Sequence, residues 1–145
     1  MESSGRANVL VVANRTAATP ALLQAVRARA EQGPAHFHLV VPDPEHHHPR
    51  GDHEHSAGDK VLALALPLIS EAAGGHADGS VSIRHDPMDA IEETLRAGEF
   101  DEIILSTLPP HVSHWLHLDL PSRVAHLGLP LTTIVAGDRE ASGVA

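Results

Sequence analysis

The chain of 145 residues sets 10 Lys and Arg against 19 Asp and Glu, a formal net charge of −9 with histidine neutral. One Lys (Lys60), no Tyr and only Phe37, Phe100 and Trp115 as aromatics exclude a basic phosphate-tracking face and a base-stacking platform, so nucleic acid is not an expected partner. Thirteen His outnumber all Lys and Arg, and their full protonation would move the charge by thirteen units to +4.

A hydrophobic content of 42% at this length fits one domain with a sizeable core. The absence of Cys removes disulfides, thiolate nucleophiles and Cys-ligated metals, and agrees with a cytoplasmic address. The apolar run Val9–Ala13 is broken by Asn14 and Arg15, so neither a signal sequence nor a membrane span is expected, and no membrane partner.

In chain order, Asn8–Ala13 is apolar without alternation, as a strand covered on both faces would be. Thr19-Pro20 reads as a cap and first turn, Leu22, Leu23, Val26 and Ala30 recur at helical spacing, and Gly33-Pro34 stops the helix. A second strand, His36–Val41, leads into 42–59, rich in Pro, His, Asp and Gly, which reads as a long loop insertion. A helix from Asp59 to Gly74-Gly75 follows, with Pro67 expected to cost a hydrogen bond and bend it.

Ser80–Arg84 is the third strand. Asp86-Pro87 then caps a helix carrying Met88, Ile91 and Leu95 on one face and closed by Gly98. Glu102–Ser106 is the fourth strand, Pro121–Leu127 a short helix ended by Gly128, and Leu131–Ala136 the fifth strand. Strands alternating with helices predict a single α/β domain: a parallel sheet with helices on both faces and ligands beyond the carboxyl ends of the strands. The strand tips nominate a pocket of Asn14, Arg15, Thr16, Val41, Ser106, Thr107, Leu108 and Pro109, with His111 and His114 beside it.

The usual occupants of such a fold fail on their motifs. Asn14-Arg15-Thr16-Ala17-Ala18 has no Gly where a dinucleotide fingerprint needs three, and Lys60 follows Asp59 rather than a glycine-rich phosphate loop. A phosphoacceptor receiver would need an acidic pair after the first strand, an acceptor Asp after the third and a Lys after the fifth; Asn14, Asp86 and Ala136-Gly137 do not match. Flavin binding would want flanking aromatics beyond Trp115, and Ser106, in Leu105-Ser106-Thr107, is not a G-x-S-x-G nucleophile. From the residues alone no nucleophile with a positioned base can be named, so the expectation is binding rather than catalysis.

Val9-Leu10-Val11-Val12-Ala13-Asn14-Arg15-Thr16 resembles the V-L-V-x-V-D-x-S opening of the universal stress protein family, and Asp101–Thr107 resembles its D-L-I-V-x-G-S segment. The resemblance runs from Val9 to Val135 and implies the strand order 3-2-1-4-5, a stress-response regulatory role, and homodimers through the last strand, Leu131–Ala136, with any further protein partner unspecified. Two departures bear on function. Asn14 stands where nucleotide-binding members have an Asp, and the family's G-x2-G-x9-G-S/T phosphate loop has no counterpart, since no glycine lies between Gly98 and Gly128. Pro109 and Pro110 lack the backbone donors that a triphosphate cradle uses. The resemblance therefore points to the non-ATP-binding branch with no resident cofactor. The alternatives are an ATP-binding module with an altered loop and a metal-binding protein.

Of the 13 His, His46, His47, His48, His53 and His55 crowd the loop insertion beside Asp52 and Glu54, a donor set for zinc or nickel. A Pro- and Gly-containing loop offers few partners to fix each ring, so the competing reading is a solvated segment with adventitious metal affinity. His111, His114 and His117, if helical, fan across about 120° and suit either an anion or the acidic surface. His36 and His38 share one strand face and His126 ends a helix, positions that read as structural.

Overall fold

The apolar runs become five strands: β1 (Ala7–Val12), β2 (Ala35–Pro42), β3 (Asp78–Ser82), β4 (Glu102–Thr107) and β5 (Leu131–Val135). They form one sheet in the order β3-β2-β1-β4-β5, and every neighbouring pair is parallel. The computed structural model describes residues 7–13, 16–42, 57–82, 86–107, 115 and 119–135. Among these, four helices connect the strands: α1 (Pro20–Glu31), α2 (Ala57–Ala73), α3 (Pro87–Ala97) and α4 (Leu120–Ala125). This is the single α/β domain and the strand order expected above. No helix among the described residues is long and apolar enough to cross a membrane.

Strand alternation divides the core into two layers. Val9, Val11, Phe37, Leu39, Val41 and Ile104 point to one face, where they meet Leu22 and Val26 of α1 and Ala65 and Ile69 of α2. Leu10, Val12, Val40, Ile103 and Leu105 point to the other, against Met88 and Ile91 of α3 and Leu120 and Val124 of α4. Because β1 is central and sandwiched, Val9 to Val12 are all fully buried, which is why its sequence shows no polar alternation. The helices leave uneven cover: α3 lies against β2 and α4 against β5, and the α3-side face of β3 carries Asp78, Ser80 and Ser82 instead of core residues.

Several local expectations shift. Thr19 occupies the cap position of α1 but makes no side-chain cap bond; its hydroxyl donates backward to the Thr16 carbonyl at 2.9 Å. Strand β3 begins and ends two residues earlier than the apolar pattern suggested, because its register with β2 runs from His38–Asp78 to Pro42–Ser82. Gly79 fits this register for a steric reason: a Cβ there would lie 2.7 Å from both the Leu39 carbonyl oxygen and Leu62 Cδ1. Gly98 follows α3 in an extended conformation rather than as a left-handed cap, whereas Gly128, with φ 89°, does close the turn after α4. Helix α4 starts at Leu120 and ends at Ala125, and α2 starts at Ala57 and continues through Pro67. The expected 42–59 loop loses its ends to β2 and α2; residues 43–56 lie outside the described residues.

Candidate functional site

The carboxyl ends of β1 and β4 are joined by a closed pair of hydroxyls. Ser106 Oγ donates to Thr16 Oγ1 at 2.7 Å, and Thr16 Oγ1 donates back to the Ser106 carbonyl at 3.3 Å. Their exposures are 1% and 3%, so both side chains are sealed from solvent and satisfy each other. The Thr16 carbonyl is also engaged, by the N–H and the hydroxyl of Thr19. Alternation places Ser106 on the α1/α2 face and the next residue, Thr107, on the α3/α4 face. Thr107 Oγ1 is buried and has no hydrogen-bond partner among the described residues.

On that second face the N-terminus of α3 is occupied by its own cap. Asp86 Oδ1 accepts from the Met88 N–H at 2.8 Å, and Asp86 Oδ2 accepts from Arg123 Nη2 of α4 at 3.0 Å. Partial burial pushes the Asp86 carboxyl up, but the Arg123 hydrogen bond, the Met88 N–H and the Arg123 charge together outweigh it and hold the group below the usual Asp value. The single bridge therefore caps one helix and ties it to another. Trp115 is half-buried against this same face, with Leu120 and Val124, and so does not pack on the side where Ser106 meets Thr16. At the far end of α4, His126 Nδ1 donates to the Ser122 carbonyl at 2.7 Å, the structural use expected of it.

Of the nominated pocket, the structure brings together Thr16 and Ser106, buries Thr107, and buries Val41 within the α1/α2 layer rather than at an opening. Asn14, Arg15, Leu108, Pro109, His111 and His114 lie outside the described residues, as do the five loop histidines His46, His47, His48, His53 and His55. Among the described residues no group of three His, Asp or Glu side chains is arranged to hold a metal ion.

Solved structures match this architecture over most of its length. A universal stress protein from Archaeoglobus fulgidus superposes with a TM-score of 0.62 at 14% identity, covering 88% of this chain and 93% of that one. The fold is that of the universal stress proteins. A second structure of the universal stress protein from that organism, in complex with dAMP, gives a TM-score of 0.54 at 15% identity over 90% of this chain and 96% of that chain. The sequence matches no family model and no curated protein. At this identity the likeness extends to the universal-stress-protein fold and not to its site residues.

Two features escaped the sequence reading. The hydroxyls of Ser106 and Thr107 diverge to opposite faces, which alternation along β4 could have revealed. The second is a polar cluster on β2 and β3, where His36 and His38 meet Asp78 and Ser80. The His-x-His and Asp-x-Ser spacings were visible, but the register that joins them was not.

Proposed function

We propose that this chain is a regulatory binding domain of universal-stress-protein type whose strand tips do not hold a nucleoside triphosphate. The observation that carries the reading is the Thr16–Ser106 pair: the hydroxyls at the tips of β1 and β4 are buried and bonded to each other, so a phosphate would have to break that pair to reach them. The sequence supports it, because no glycine between Gly98 and Gly128 supplies the positive φ and close backbone approach of a phosphate cradle. So does Asp86, whose carboxylate takes the N-terminal donor of α3 and the guanidinium of Arg123 that an anion would otherwise use.

Equilibrium dialysis of the full chain against labelled ATP tests this reading; no binding is expected, and micromolar affinity would overturn it. The dAMP complex of one structural neighbour favours a second reading, an adenine-nucleotide module with an altered loop. A monophosphate does not need the missing triphosphate cradle. A parallel dialysis against dAMP separates the two, since dAMP binding without ATP binding would support the second. Mass spectrometry and elemental analysis of the purified chain would identify any bound partner molecule or metal, including zinc or nickel on the His46–His55 segment.

The assembly we propose is a homodimer through β5. That strand is an edge of the sheet, and Thr132, Thr133 and Val135 are exposed on it. Sedimentation should give a dimer, and Val135→Lys should weaken it; a wild-type monomer at high concentration would remove this part of the proposal.

A further inference from the structure

Away from the strand tips, a groove of about 440 Å³ lies between the C-terminal half of α3 and the β2–β3 flank of the sheet. Val40, Ala97 and Phe100 give it an apolar wall, and His38, Ser80 and Glu93 face it with polar groups. His38 is held on three sides. Its ring centroid is 6.1 Å from that of Phe100 in a tilted arrangement, its Nδ1 is 2.9 Å from Asp78 Oδ1, and its Nε2 is 3.1 Å from Ser80 Oγ.

The protons follow from the chemistry of the three groups. Partial burial pushes the Asp78 carboxyl up, but the His38 hydrogen bond and the charges of His38 and His36 outweigh it and hold the group below its ordinary value. An ionised carboxylate only accepts, so Nδ1 carries the ring proton, Nε2 of the neutral imidazole presents a lone pair, and the Ser80 hydroxyl donates to it. This is the connectivity of a nucleophile, a general base and an orienting carboxylate, here assembled across two adjacent parallel strands.

We infer that Ser80 and His38, oriented by Asp78, form an acyl-transfer site that hydrolyses small neutral or cationic esters bound in this groove. Ser80 Oγ attacks the carbonyl carbon as its proton passes to His38 Nε2. The tetrahedral adduct collapses, the bond to the alcohol oxygen breaks, and the alcohol leaves with the proton from Nε2. Water then attacks the acyl-Ser80 ester, giving its proton to Nε2, and collapse releases the carboxylic acid as Ser80 Oγ recovers that proton. Ester and water thus yield acid and alcohol. The carboxylates of Glu93 and Asp78, on a chain of net charge −9, select against anionic substrates.

Asp78 is a positioning residue, and His36 shares it, with Nε2 3.3 Å from both carboxylate oxygens. Among the described residues, the titratable groups facing His38 are Asp78 and His36 from the sheet and Glu93 from α3. The unprotonated form of the His38 ring is the one that can accept the Ser80 proton. The Thr94 hydroxyl beside the groove is already committed to the Ala90 carbonyl at 2.8 Å, so the gain is that of a positioned base, on the order of 10²-fold.

The test is labelling of the full folded chain with a fluorophosphonate, in which Ser80 Oγ displaces fluoride at phosphorus, followed by peptide mass spectrometry. Locating the adduct matters because 13 imidazoles will cleave an activated ester such as p-nitrophenyl acetate without any site. A Ser80 adduct is expected, absent in Ser80→Ala, slowed about 100-fold in His38→Gln with an unchanged circular dichroism spectrum, and unaffected by His126→Gln. Asp78→Asn should slow labelling and displace its pH dependence. Ser80 reacting no faster than in the urea-unfolded chain, or equally fast in a folded His38→Gln protein, would overturn the inference.

Discussion

The tips of β1 and β4 and the flank of β2 and β3 both carry hydroxyls on one sheet, yet they use them in opposite ways. At the tips, Thr16 and Ser106 are 3% and 1% exposed and bond to each other, and Asp86 is committed to Arg123 and its own helix. On the flank, Ser80 is exposed and its partner is a titratable ring, within a groove that a ligand can enter. Helix cover explains the difference. The hydroxyls sealed under α1 gain by bonding to each other because burial without a partner costs free energy, a cost that Thr107 bears on the opposite face, while the hydroxyl beside the end of α3 stays in contact with water. Polar residues at the place where this fold is expected to bind ligands can therefore be scaffold, and polar residues elsewhere can be chemistry.

The contrast can be broken from either side. Phe37→Ala, in the shared core, should cost about 3–5 kcal/mol in urea unfolding and weaken both regions together, which sets the scale for loss of the scaffold. Gly79→Ala should act mainly on the flank. Its Cβ meets backbone oxygen at 2.7 Å, so β3 must shift against β2, costing about 1–3 kcal/mol and disturbing the His38–Asp78 contact while the Thr16–Ser106 pair persists; side-chain NMR of His38 reads this directly.

At the tips, Thr16→Val should cost about 1–3 kcal/mol by leaving the Ser106 hydroxyl buried without its acceptor, again measured by urea unfolding. Thr107→Val, one residue along, should be neutral or stabilising by about 1 kcal/mol, because that hydroxyl is already buried without a partner among the described residues. Equal destabilisation by the two changes would end the distinction drawn between paired and orphaned hydroxyls.

The smallest expected effect is in acid. Asp78 and Asp86 are both held below the ordinary Asp value of about 3.9, so each adds stability that is complete above that pH and is lost as pH falls through the lower folded-state value. The urea midpoint should drop as the pH falls below about 4. Asp86→Asn should flatten part of that drop and leave groove labelling intact, whereas Asp78→Asn should flatten another part and slow it.

Much of the architecture was legible because it depends on local patterns. The unbroken apolar run of β1, the Asp86-Pro87 cap of α3 and the Gly128 stop after α4 each express a rule about a few neighbouring residues. Thr19 looked like an equally good cap but turned its hydroxyl back to Thr16, since the tight turn before α1 offered a nearer carbonyl. The ends of β3 moved for a related reason: its own pattern is short, and pairing with β2 set the register.

What the sequence by itself determined is the class of molecule: an acidic, cysteine-free α/β domain, with a strand tip after β4 that lacks the glycines of a phosphate loop. Tertiary structure alone decided which side chains act together. Thr16 and Ser106 are 90 residues apart and His38 and Asp78 are 40 apart, so no local periodicity relates them. Only parallel pairing in the order β3-β2-β1-β4-β5 brings each pair within hydrogen-bond distance, and only the helix cover above it determines whether that pair is sealed or open to a ligand.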